Sequence, residues 1–192
     1  MKIQVLTATM HQTDHSLVEK MNIKSDAIIA NQCDFNSVEK FNIGDQEIIY
    51  LNFAERGVGL NRNNALMRAT ADVCLFADDD MIYEDDYIKT LERAYAEFPD
   101  ADVIIFNLIE KEPKRYIIKE PARVNKLNFL RYGAARVSFK LSSVRANGIY
   151  FNQDSNYVYS LELFTLKKCV FIHFFYSPLK YSVSFIHSRI FA

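Results

Sequence analysis

Val73-Cys74-Leu75-Phe76-Ala77-Asp78-Asp79-Asp80 is the stretch on which the fold of this chain turns. Five apolar residues run without interruption into three aspartates. A short continuous apolar run predicts a strand buried on both faces, as in a parallel sheet. The abrupt change to carboxylates then falls at the strand's carboxyl end, where open α/β sheets bind ligands. Adjacent carboxylates repel one another, so a positive group is expected among them. Mg²⁺ or Mn²⁺ suits the position, because such ions are held by one or two carboxylates and keep places open for substrate phosphates. If the segment is extended, residues two apart point the same way, which makes Asp78 and Asp80 the expected metal pair. The competing reading is a solvated acidic turn. For Glu84, Asp85 and Asp86 that reading is preferred, since acidic groups at a helix start are stabilised by the helix dipole. An EF-hand loop is excluded: it needs Gly at its sixth position and Glu at its twelfth, where this sequence has Tyr83 and Lys89.

Outward from this stretch, further strands are predicted at residues 3–8, 26–30, 47–51 and 102–108, each short and rich in β-branched or bulky apolar residues. Helices are predicted from Thr13 or Asp14 to about residue 22, over 60–69 after Gly57 and Gly59, and from Asp85 or Asp86 to Phe98. In the last of these, Tyr87, Ile88, Leu91, Ala94, Tyr95 and Phe98 fall on one face of a 3.6-residue period. Alternating strands and helices predict a doubly wound, mostly parallel sheet. Asn31-Gln32-Cys33-Asp34 reads as a polar loop at the carboxyl end of the second strand. After residue 108 the pattern changes. A helix is predicted over 122–132 and a basic, small-residue stretch over 133–139, and from 149 onward the chain is aromatic-rich without helical period.

Whole-chain properties narrow the function. With 192 residues, 49% of them apolar, the chain can bury a substantial core as one domain. The net charge of −1 provides no general attraction for nucleic acid, so a polyanionic ligand must be met by a local device. Cys33, Cys74 and Cys169 are odd in number and scattered, which fits neither a disulfide framework nor a zinc site. His11, His15, His173 and His187 have no ligand-like spacing. No run reaches the ~18 apolar residues of a transmembrane helix, and no signal peptide is visible. A cytoplasmic protein is expected, with attachment at the inner face of the membrane as a variant of that reading.

Two segments taken together resemble a known family: Arg56-Gly57-Val58-Gly59-Leu60-Asn61-Arg62-Asn63-Asn64-Ala65-Leu66, and the strand and aspartates at 69–80. A glycine-bearing turn, an Arg-Asn pair opening a helix, a small-residue segment, a buried strand and a DxD motif, in that order and spacing, are similar to the central region of family 2 glycosyltransferases. The resemblance implies a GT-A-like, three-layer α/β/α fold around a mostly parallel mixed sheet. It also implies a nucleotide-sugar-binding half over 1–109 and an acceptor-side half over 110–192. The implied activity is metal-dependent, inverting transfer of a sugar from a nucleoside-diphosphate sugar, a UDP-sugar first, to a hydroxyl of a carbohydrate or lipid-linked acceptor. The implied setting is surface polysaccharide or glycoconjugate synthesis. Residue by residue, Asp78 and Asp80 resemble the metal-binding pair, Asp78 and Asp79 lie where the donor is met, and Arg62 resembles the arginine near the donor. Asp34 falls where the family places the aspartate that meets the nucleoside base, and Thr7 falls near the nucleoside at the end of the first strand, with Thr9 beside it.

The chain departs from the family pattern after about residue 152. The expected Glu-Asp motif that would supply a general base is not clear. Asp154 and Glu162 are the candidates for it, Glu162 because it precedes Leu163-Phe164. The departure and the chain length suggest a truncated, frame-shifted or rearranged carboxyl-terminal part. It also keeps open a second reading, a nucleotide-sugar-binding module of the same fold with impaired catalysis. A nucleotidyltransferase is disfavoured, because residues 7–13 contain no glycine for the phosphate loop such enzymes place after the first strand.

Overall fold

The computed structural model describes residues 1–109 and 136–151, together with the backbone of three short strands at 122–123, 169–171 and 185–187. The elements run β1 (Ile3–Met10), α1 (Leu17–Lys20), β2 (Asp26–Gln32), β3 (Ser37–Ile43), β4 (Gln46–Phe53), α2 (Val58–Arg68), β5 (Val73–Asp78), β6 (Met81–Tyr83), α3 (Tyr87–Glu97) and β7 (Val103–Ile105). They continue with β8 (Ala122–Arg123), β9 (Val137–Lys140), α4 (Leu141–Ala146), β10 (Cys169–Phe171) and β11 (Phe185–His187).

The main sheet has the order β3-β4-β2-β1-β5-β9-β7-β10-β8, and β6 pairs with β11 in a second, two-stranded sheet. The four strands β4, β2, β1 and β5 are mutually parallel, which brings their carboxyl ends to one edge. The antiparallel strand β9 lies between β5 and β7. The sheet is therefore mixed, with its parallel block in the first half of the chain.

The period-2 alternation of strand side chains sorts the core into two layers. Val5, Ala27, Ile29, Ile48, Val73, Leu75 and Ala77 face one side, where Leu17 and Val18 of α1 and Tyr87, Leu91, Ala94 and Tyr95 of α3 pack on them. Leu6, Ile28, Ala30, Ile49, Leu51, Cys74, Phe76 and Phe139 face the other, against Ala65 and Leu66 of α2 and Leu141 and Val144 of α4. Helices on both faces of one sheet make the three-layer α/β/α arrangement expected from the sequence. The α3 face also holds: Tyr87, Leu91, Ala94 and Tyr95 are buried, with Ile88 and Phe98 packed at the margin.

Several local expectations are corrected. Asn31 and Gln32 belong to β2 rather than to a loop, since they stay in parallel register with β1 and β4. The hairpin partner β3 is an addition. Its two-residue turn starts with Gly44 at φ 59, a value glycine adopts without penalty. Because β3 is an edge strand with mostly exposed side chains, it carries no buried alternation to read. The first helix is only four residues long. Asn22, at φ 52, ends it in the left-handed conformation, with the Ile23 amide donating to the Val18 carbonyl at 3.1 Å. The strand expected at 102–108 spans only Val103–Ile105. Ala122 and Arg123, expected to open a helix, pair antiparallel with β10, and the rest of that expected helix lies outside the described residues.

Candidate functional site

At the carboxyl edge of the parallel block the sheet changes from apolar to polar in one rung. Thr9 is in register with Asn31, Asn31 with Asn52, and Asn52 with Ser37, across β1, β2, β4 and β3. The Asn31 amide donates to Asn52 Oδ1 at 2.7 Å, and the Asn52 amide donates to Ser37 Oγ at 2.9 Å. Thr9, Asn31 and Asn52 are all buried, so these bonds satisfy polar groups that would otherwise be costly inside the protein. Beyond the rung, a cavity of about 370 Å³ opens, lined by His11, Gln12, Asp34, Phe35, Tyr50 and Asn52 among others. Burial pushes the Tyr50 phenol up to about 12, with the nearby Asp14 and Glu39 charges acting in the same direction. It is therefore a neutral donor, and its hydroxyl bonds the Asp14 carbonyl at 3.0 Å.

Asp34 lines this cavity with a side chain that is 89% exposed, and it is paired with Arg56 at 2.7 Å. Arg56 also donates to the Cys33 carbonyl at 2.6 Å, which fastens the turn after β2 to the entrance of α2. There Gly57 adopts φ 137, and its amide donates to Gln32 Oε1 at 2.7 Å. A side chain is disfavoured at that φ, so the glycine is required for this junction.

The aspartates sit one strand over. Asp78 is the last residue of β5, in register with Ala8, while Asp79 and Asp80 form the turn into β6. The extended geometry expected for the triplet is thus replaced by a turn, and the rule that residues two apart share a side does not apply. Asp79 is tied back to β1, because Thr9 Oγ1 donates to its Oδ2 at 2.6 Å. Gln12 Nε2 in turn donates to Thr9 Oγ1 at 3.0 Å. Asp78 accepts from Arg62 Nη2 at 2.6 Å. The two sides of that ion pair differ sharply in environment: the Arg62 side chain is 3% exposed and that of Asp78 is 42%.

Helix α2 supplies the braces. Asn61 donates to the Thr9 and Ala30 carbonyls at 3.2 and 2.7 Å, holding the ends of β1 and β2. Arg62 holds Asp78, and Asn63 bonds the backbone of Phe151. Arg56 and Asn61 were visible in the motif, but their partners lie in other strands and could not be read from it. Thr7 is not part of this assembly. It is fully buried, two residues before Thr9 on the same strand face and farther inside the sheet, and its hydroxyl faces Met21 Sδ at 3.9 Å. At the strand's end it is Thr9 that bonds the aspartate turn. Asp86 is the residue before α3 but makes no side-chain capping bond, and Asp85 accepts from Asn22 instead. Asp154 and Glu162 lie outside the described residues.

The donor set fits a hard cation. Asp78 is half-exposed and Arg62 engages one of its oxygens, and two further carboxylates follow in the turn. Among the described residues no three metal-binding side chains converge into a ready-made cage. Asp78, Asp79 and Asp80 are the residues that could hold a divalent cation there.

Residues 25–165 match the family model described as Glycosyl transferase family 2. The chain belongs to glycosyl transferase family 2. Its matched span includes β2, the Asp34 turn, the α2 braces and the aspartates. Among solved structures, family 2 architecture recurs in S. aureus TarS. The TarS 1–349 complex with UDP-GlcNAc superposes with a TM-score of 0.69 at 15% identity, over 100% of this chain and 60% of that one. The complex of TarS 1–349 with UDP gives 0.65 at 16% identity, over 90% and 58%. A longer TarS structure gives 0.67 at 13% identity, over 98% and 37%. At such identity the likeness establishes the GT-A fold, and this family 2 chain spans about 60% of the TarS 1–349 structure. No curated protein matches the sequence. Among the described residues, no helix is long and apolar enough to cross a membrane.

Proposed function

We propose that this family 2 chain binds a nucleoside-diphosphate sugar across the carboxyl ends of β1, β2, β4 and β5 and transfers the sugar to an acceptor hydroxyl. The observation that carries the reading is the link from cavity to carboxylates: cavity-lining Gln12 bonds Thr9, and Thr9 bonds Asp79. One strand end thus serves two neighbouring subsites. The cavity receives the nucleoside, with Asp34, held by Arg56, accepting from the base and Tyr50 beside it. The diphosphate lies toward 78–80. There Asp78 and Asp80 would hold Mn²⁺ or Mg²⁺, which would supply positive charge against the diphosphate leaving group. Arg62 fixes the rotamer of Asp78 and Thr9 fixes that of Asp79, so these carboxylates need not reorganise when the donor arrives. The TarS complexes with UDP and UDP-GlcNAc make UDP-sugars the first donors to test. A carbohydrate or lipid-linked hydroxyl acceptor, in surface polysaccharide or glycoconjugate assembly, completes the proposal.

Calorimetric titration with UDP-sugars, with and without Mn²⁺, tests it. Metal-dependent binding is expected in the parent and is expected to be lost in Asp80→Ala with little change in thermal stability. Equal affinity in the two proteins would sink the assignment. Binding without hydrolysis or transfer to any acceptor would favour the binding-module reading.

A further inference from the structure

Asn63 and Phe151 are 88 residues apart, yet they are joined as tightly as neighbours in a sheet. The Asn63 amide donates to the Phe151 carbonyl at 2.8 Å, and the Phe151 amide donates to Asn63 Oδ1 at 2.8 Å. Both residues are buried, with 3% exposure for Asn63 and 6% for Phe151. A carboxamide presents an N–H donor beside a carbonyl acceptor, so it can engage both backbone groups of a single residue. Asparagine is a poor residue for a helix interior and is seldom buried. Its place in α2 is accounted for by this clamp, which leaves neither peptide group of Phe151 orphaned.

The clamp fixes a ring with a specific neighbour. Phe151 packs edge-on against Phe76 of β5, with centroids 4.8 Å apart, and the Arg62 guanidinium lies 5.5 Å from its centroid. Arg62 is 3% exposed, and its Nε and Nη1 have no hydrogen-bond partner among the described residues. Phe151 therefore forms part of the cover that keeps water from these donors. A guanidinium kept dry in this way is screened less, and its attraction to Asp78 is stronger.

We propose that Asn63 is a positioning residue that orients Asp78 at a distance, by clamping Phe151 over Arg62. Releasing Phe151 hydrates Arg62, and hydrated Arg62 loosens its hold on Asp78. The clamp also ties helix α2 to the 148–151 segment, so the Asp78 carboxylate is set only when Phe151 is seated. The step from Arg62 hydration to donor affinity rests on the nucleotide-sugar reading, and the step from Asn63 to Arg62 does not.

The test reads Arg62 directly. Solvent exchange of its Nε–H is followed by NMR in the parent, Asn63→Ala and Phe151→Leu, with exposed Arg68 as internal reference. Exchange is expected to accelerate roughly tenfold or more in both variants, the scale set by losing one ordinary packing or hydrogen-bonding constraint. A purely structural clamp predicts lower stability with unchanged Arg62 exchange in the folded state, and that result overturns the proposal. Phe151→Leu keeps both backbone bonds and removes only the ring. Unchanged exchange in it overturns the proposal whether or not Asn63→Ala folds. UDP titration in Mn²⁺ is the second arm, with a similar loss of affinity expected in both variants. A parent that binds no UDP would defeat the nucleotide-sugar reading and leave the exchange result standing.

Discussion

The Arg62–Asp78 pair makes an asymmetric prediction. Its attraction is worth about 4 kcal/mol for unit charges ~4 Å apart at an effective dielectric near 20. Against this stand several kcal/mol for desolvating a buried guanidinium and roughly 1–3 kcal/mol for each buried donor left unpaired. Arg62 has two such nitrogens, Nε and Nη1. The pair therefore adds little net stability, and what each substitution costs depends on the partner it leaves behind. Arg62→Met keeps the apolar stem under Phe151 and leaves Asp78, which is 42% exposed and can be hydrated. Its stability is expected to stay within about 1 kcal/mol of the parent, or to rise. Asp78→Ala leaves a guanidinium that is 3% exposed without its partner, and a loss of about 3–5 kcal/mol is expected. Urea unfolding of the three proteins, followed by circular dichroism, measures both changes. The same samples titrated with UDP and Mn²⁺ should both show weakened binding, so function and stability separate in Arg62→Met and fall together in Asp78→Ala. Equal destabilisation by the two substitutions, or a larger loss for Arg62→Met, would refute the reasoning.

Thr9→Val removes the hydroxyl between Gln12 and Asp79 while keeping the strand's shape. A hydrogen bond to a carboxylate of this kind predicts a roughly 10- to 100-fold weaker UDP–Mn²⁺ complex, and unchanged affinity by calorimetry would remove Thr9 from the site. Asp34→Ala breaks an ion pair whose side chains are 47% and 89% exposed, so its melting temperature should barely move while UDP binding weakens. A shifted melting temperature with intact binding would contradict the placement of the nucleoside. At alkaline pH, burial has raised the Cys74 thiol from 9.0 to about 12 and the Tyr50 phenol from 10.0 to about 12. The folded state holds these protons more tightly than the unfolded one, so their contribution is complete below pH 9 and is lost as pH rises toward 12. Melting temperature should fall from about pH 9 in the parent, and Cys74→Ala should delay the onset toward pH 10. An identical pH profile in parent and variant would count against that assignment.

Local pattern was enough to read much of this protein. The uninterrupted run 73–77 marked a doubly buried strand, the 3.6-residue spacing from Tyr87 marked α3, and the spacing of Arg62-Asn63 ahead of the aspartates marked the family. These signals lie within one element or between close neighbours, where side-chain period and turn chemistry act directly. The edge strand β3 escaped because its exposed side chains carry no buried alternation. The four-residue β9 escaped because it is too short for a period to emerge, and it is recognised only by its pairing with β5 and β7. The site's working contacts are of the second kind. Nothing local distinguishes Thr7 from Thr9, which share one strand face. Their surroundings separate them, because Thr9 sits at the end of β1 beside the Asp79 turn, while Thr7 lies farther inside the sheet against Met21. Likewise Asn31 and Asn52 become one rung only through strand register, and Asn63 finds Phe151 only when α2 and the 148–151 segment dock on the same face of the sheet. By itself, the sequence determined the α/β layering, the carboxylates at a strand's end and the family. The tertiary structure decided which side chains hold those carboxylates, because hydrogen bonds between distant residues depend on register and packing that no local period encodes.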